Sequence, residues 1–195
     1  MSQTTIQQAR FRRVEAEVLL PAGWLDGTFV VPEAQSLQDF LEHSGAFLKL
    51  TDAQVPGHKE IMPFFAVQRG AVELIAPKLV DDRIETAGSA GHTAPWSISC
   101  LFHRGAVHGS LDFLMNLRLS DYLRQQTGFL LLRDAAWSPV DTGRGDVPRR
   151  WPIAFVNVPQ VNGISEAVDQ RGRGHPGKLS APSEFELLEG PSTYA

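Results

Sequence analysis

The chain has 195 residues, 43% hydrophobic and 21% charged, with a formal net charge of −4, the composition of a soluble globular protein with room for one large domain or two small ones. The acidic balance argues against a surface that grips nucleic acid throughout, which takes clustered Lys and Arg, and a single cysteine, Cys100, excludes an intrachain disulfide. The opening "MSQTTIQQARFRR" lacks the apolar core of a secretory leader, and no apolar run approaches the roughly 18 residues of a membrane span, so the expectation is a cytoplasmic protein with no membrane partner.

After a flexible start (1–10), "VEAEVLL" alternates apolar Val14, Ala16, Val18 and Leu20 with Glu15 and Glu17, the period of a strand with one buried face. Gly23 supplies a hairpin turn, and Gly27 marks a bend or a close backbone approach in the return strand. "SLQDFLEHSG" spaces Leu37, Phe40 and Leu41 as one helical face, with Ser36 as its cap and Gly45 as its stop. "AFLKL" reads as a third strand ended by Asp52, "FFAVQ" as a fourth and "AVELIAP" as a short fifth. This first unit spans 11–77. Residues 78–94, polar and Gly/Ser-rich, read as a linker.

The same order then returns in 95–167. "WSISCLF" alternates Trp96, Ile98, Cys100 and Phe102, Gly105 and Gly109 follow, "RLSDYLRQQTG" repeats the helical spacing, and "GFLLL", "IAFVN" and "QVNGISE" complete the set. Residues 14–54 align with 96–136 without a gap, and 11 of 41 positions are identical. Beyond a loop the offset becomes 89, so that "PFFAVQRGAVELI" lies on "PIAFVNVPQVNGI" and the second unit carries seven extra residues in "WSPVDTGRGDVPRR". Agreement over that length is far above chance and marks an internal repeat. Residues 168–195 read as a mostly disordered tail, within which Phe185, Leu187 and Leu188 form a candidate docking segment.

Each unit has five strands and a short helix before the third, in about 65 residues, near the lower limit for an independent core. Closure into a small SH3-like barrel would remove the costly edges of so small a sheet. The fold class is therefore mainly β, with two tandem five-stranded barrels packed on each other or on another chain.

The motifs "VEAEVLLPAGWLDG", "WSISCLFHRGAVHG" and "AVQRGAVELIAP" resemble the Sm-like fold, including the bacterial RNA chaperone Hfq. The likeness covers about 65 residues in each half and implies barrels that join into rings, the fourth strand of one unit pairing with the fifth of the next. Two units per chain would give a trimer resembling a hexamer; a dimer or a one-to-one complex is the other outcome. It also implies RNA contacts at Gln68 and Arg69, with Asn157 at the matching position of the second unit. There the turn reads Asn157-Val158-Pro159 and keeps no basic residue, and the helical insert is not an Sm feature.

Other residues invite sharper readings. Asp141-Thr142-Gly143 is the triplet of aspartic proteases, but those need two opposed carboxylates and the first unit has none, so a polar surface loop is the better reading; Arg144-Gly145-Asp146 is read as coincidence. His92, His103 and His108 lack a Cys or carboxylate that would complete a metal set. Cys100 reads as core. Trp24, Trp137 and Trp151 lie in turns and loops, as partner contacts or as rings folded back over a barrel. No phosphate loop or nucleophile motif appears. Residues 11–78 hold six Lys/Arg against nine Asp/Glu. The sequence thus points to a non-catalytic interaction or assembly protein, without cofactor or metal, that binds a protein partner or itself; the alternative is an RNA-binding regulator of Hfq/Sm type.

Overall fold

Strands β1 (Phe11–Leu20) and β2 (Gly23–Pro32) form the first hairpin, with Leu20 opposite Gly23. A computed structural model describes residues 10–81, 83–84, 93–114, 117–140 and 146–166 of the chain. The alternation in "VEAEVLL" does its expected work: Val14, Ala16 and Val18 are buried and the intervening Glu15 is exposed. Helix α1 (Leu37–His43) begins where Ser36 accepts a hydrogen bond from the Asp39 N–H at 2.9 Å. It stops at Ser44 rather than at Gly45. β3 (Phe47–Gln54), β4 (Phe65–Gln68), a single 3-10 turn (Arg69–Ala71) and β5 (Leu74–Pro77) follow.

The second half runs β6 (Thr93–Leu101), β7 (Gly105–Leu114), α2 (Leu119–Gln125), β8 (Phe129–Pro139), β9 (Arg149–Asn157), a 3-10 turn (Val158–Gln160) and β10 (Gly163–Glu166). The elements recur at the sequence offsets. α2 starts and ends 82 residues after α1, and the second 3-10 turn lies 89 residues after the first.

The expectation of two closed barrels does not hold. Among the described residues ten strands join in one open antiparallel sheet, in the order β10-β6-β7-β8-β9-β5-β1-β2-β3-β4. The reason lies at its centre, where β5 pairs with β9, Leu74 opposite Val156 and Ile75 opposite Phe155. The edge that closure was expected to remove in one half is satisfied by the other half instead. Every residue of β5 is buried, and so is β9 from Ile153 to Asn157.

Two cores result, each borrowing from across the seam. One gathers Val18, Phe29, Leu41 and Leu50 of the first half with Phe129, Ile153 and Phe155 of the second. The other gathers Ile98, Cys100, Val107 and Leu132 with Leu19, Leu74 and Ala76 of the first half. The stretch read as a linker begins with an anchored turn: Ile84 is buried, and the Arg83 and Ile84 carbonyls accept from the Leu37 and Gln38 N–H groups at 3.0 Å each.

Candidate interaction site

Three of the residues singled out from the sequence meet at the seam. The two 3-10 turns abut there and frame a cleft of about 260 Å³ lined by Gln68, Arg69 and Asn157, with Ser44 and Thr127 on its walls. Asn157 is buried and acts as a tie: its Nδ2 donates to the Val72 carbonyl at 2.7 Å and to the Arg69 carbonyl at 3.2 Å. Its backbone N–H donates to the Glu73 carbonyl at 3.0 Å. Arg69 reaches across the seam and lays its guanidinium over the Phe129 ring, 5.6 Å from the centroid. Gln68 stays exposed at the end of β4.

The three tryptophans named as partner contacts lie inside the chain's own seam. Trp24 packs edge-on to Trp137 at 5.8 Å and against Trp151 at 5.3 Å. Trp137 and Trp151 are buried. The polar edge of the cluster is equally engaged. Trp24 Nε1 donates to Asp146 at 2.9 Å, Trp151 Nε1 donates to Glu17, and Arg149 pairs with Glu17 while lying 4.7 Å above the Trp24 ring. Arg104 closes the set on Asp146 at 3.3 Å. The loop read as a polar surface feature therefore ends in a buried aspartate, because Asp146 has both a tryptophan N–H and a guanidinium to pair with.

Glu73 is a second buried carboxylate at this seam. Burial pushes its pKa above the ordinary 4.5, an effect opposed by the Arg104 and His103 charges. Its Oε2 has no hydrogen-bond partner among the described residues.

The ends of the sheet are β4 and β10, and each is bordered by exposed apolar side chains. Phe47 of β3 and Phe64, just before β4, are 57% and 60% exposed; Leu101 of β6, beside β10, is 49% exposed. These positions carried no sequence signal of exposure, since large apolar residues in strand patterns read as core.

The remaining candidates resolve simply. His103 and His108 are exposed, and His108 Nδ1 meets Ser99 Oγ at 2.7 Å rather than a second histidine. Cys100 is buried, which pushes its thiol pKa up to about 12. Asp39, Glu42 and His43 place ligand-type atoms within 4.8 Å of one another on α1, but Asp39 also serves the Ser36 cap. His92, residues 141–145, and Phe185, Leu187 and Leu188 lie outside the described residues. Among the described residues no helix is long and apolar enough to cross a membrane. No protein-family model matches the chain, and no curated protein or solved structure matches it.

Proposed function

We propose that the chain is a non-catalytic protein-interaction module that binds through β4 and β10, the two end strands of its sheet. The observation that carries this reading is that each edge strand, unpaired on its outer side among the described residues, lies beside exposed large apolar side chains: Phe47 and Phe64 beside β4, Leu101 beside β10. A strand edge offers a row of main-chain donors and acceptors, and adjacent apolar area supplies the driving force for an added strand. The matched offsets of helices, strands and turns support a duplicated Sm-like unit as the origin of the two halves. RNA binding is the weaker alternative, because Arg69, the one basic residue of the cleft, is committed to Phe129.

Site-specific photo-crosslinkers at Phe64, Leu101 and Arg69, activated in the source cells, test the reading. Discrete protein adducts from positions 64 and 101 are expected. Nuclease-sensitive adducts from position 69, together with RNA affinity that falls steeply with salt and is lost in Arg69→Ala, would replace this reading by the RNA one.

A further inference from the structure

One face of the first half carries large apolar side chains in the open. Along β1, β2 and β3 the residues Val14, Phe29, Val31, Leu48 and Leu50 turn into the core, so their chain neighbours stand on the opposite face of the pleat. There they form cross-strand rows: Phe11 lies opposite Pro32, Arg13 opposite Val30, Phe47 opposite Gln68 and Lys49 opposite Ala66. Phe11 and Phe47 are each 57% exposed, Phe64 is 60% and Val30 39%. Together they present on the order of 400 Å² of apolar surface, the size at which an exposed patch marks an interaction site.

The charges on this face are specific about what would cover it. Arg13 is held by Asp52. Lys49, between the rows of apolar side chains, is exposed and has no carboxylate partner among the described residues. A complementary segment therefore brings large apolar side chains together with negative charge. The chain itself holds one. Of the stretches outside the described residues, 1–9 carry no charged side chain and 85–92 no large apolar one. Residues 184–189 read Glu-Phe-Glu-Leu-Leu-Glu, three carboxylates and three large apolar side chains in six positions.

We infer that residues 184–189 dock on this face of their own chain, with Phe185, Leu187 and Leu188 against Phe11, Val30 and Phe47 and the carboxylates around Lys49. The connection is long enough. β3 lies eight strands from β10, about 38 Å across a flat sheet, and the 17 residues 167–183 span up to about 58 Å when extended. Tethering makes the contact intramolecular, so its occupancy does not depend on protein concentration. The inference concerns the sheet face and not the end strands, and it stands whether or not β4 and β10 bind a partner. Seated there, the segment shields Phe47 from any partner arriving at β4.

The test places a photo-crosslinking side chain at position 30 of the full chain and maps the products by mass spectrometry. The expected product is a single chain of 21.4 kDa in which position 30 is joined to residues 184–189, with a yield independent of dilution. Lys49→Glu is expected to lower that yield about fivefold, the most a single exposed ion pair supplies, and Phe185→Ser with Leu188→Ser to abolish it. Reversing the tail charges as well, with Glu184→Lys, Glu186→Lys and Glu189→Lys in the Lys49→Glu chain, is expected to restore the product. Misfolding of the Lys49→Glu chain cannot mimic this restoration, because the three reversed residues lie outside the sheet. No crosslink to 184–189, a yield that Lys49→Glu leaves unchanged, a charge reversal that restores nothing, or a two-chain product that grows with concentration would each overturn the proposal.

Discussion

Asp52 and Asp134 hold φ of 52° and 49°, the left-handed region that non-glycine residues rarely enter. Each sits in a bulge, whereas the sequence places Asp52 at a strand end. On β3 two residues, Asp52 and Ala53, face the single Gly27 of β2, and on β8 Asp134 and Ala135 face Gly109. This explains why a glycine and an Asp-Ala pair recur in both halves. A Cβ on Gly109 would lie 2.9 Å from the Arg133 carbonyl oxygen, whereas one on Gly27 would meet the movable Leu50 Cδ2 at 2.7 Å. Gly109→Ala is therefore expected to cost about 2 kcal/mol and Gly27→Ala about 1 kcal/mol in urea unfolding. Equal costs would show that the carbonyl yields as readily as the side chain. Glu73 makes a second residue-scale prediction. Its folded pKa is raised, so its contribution to stability is complete below the ordinary value of 4.5 and is lost as pH rises through the folded value. Glu73→Gln should raise the melting temperature at pH 7 and leave it unchanged below pH 4.5; a variant that melts lower at pH 7 would show that the Arg104 and His103 attractions outweigh burial.

At the scale of elements, the two short helices occupy the same place but are not equally built. α1 has Ser36 as N-cap, while α2 has Arg118 at that position and no side-chain cap. Ser36→Ala should cost about 1 kcal/mol, and Arg118→Ser should gain up to about that much by supplying the missing acceptor. Thermal melts of the two variants check both signs, and a neutral Arg118→Ser would place the limit on α2 in its packing. The strands show how the period-two pattern is used. β6 buries alternate residues, β1 does so as far as Val18 and then buries Leu19 in the second core as well, and β5 buries every residue because it lies between two cores.

Across the whole molecule, the seam joins the halves through exchanged core residues and the tryptophan lock. Truncating Trp24 removes the ring between Trp137 and Trp151 and the platform beneath Arg149. Trp24→Ala should cost about 3 kcal/mol. The unmodified chain is expected to unfold in a single transition, and Trp24→Ala is expected to split it into two, because each half keeps most of its own core. A Trp24→Ala protein that still unfolds in one step would show that the β5–β9 pairing and the shared core residues suffice to couple the halves.

The strand and helix order, the hairpin glycines, the Ser36 cap, the buried Cys100 and the matched offsets of the two halves were all legible in the sequence. Each depends on local chemistry: side-chain alternation along a pleat, the missing Cβ of glycine, a hydroxyl at a helix start. Gln68, Arg69 and Asn157 were also found there, though not as neighbours around one cleft. The open sheet, the role of Trp24, Trp137 and Trp151 as an internal lock, and the burial of Asp146 needed the tertiary structure. Strand pairing uses main-chain groups that are the same at every residue, so nothing in "LIAP" or "IAFVN" states which strand is its neighbour. That choice is made by the total burial it permits, and here pairing β5 with β9 covers Leu19, Phe129 and Ile153 while leaving their counterparts at the two ends exposed.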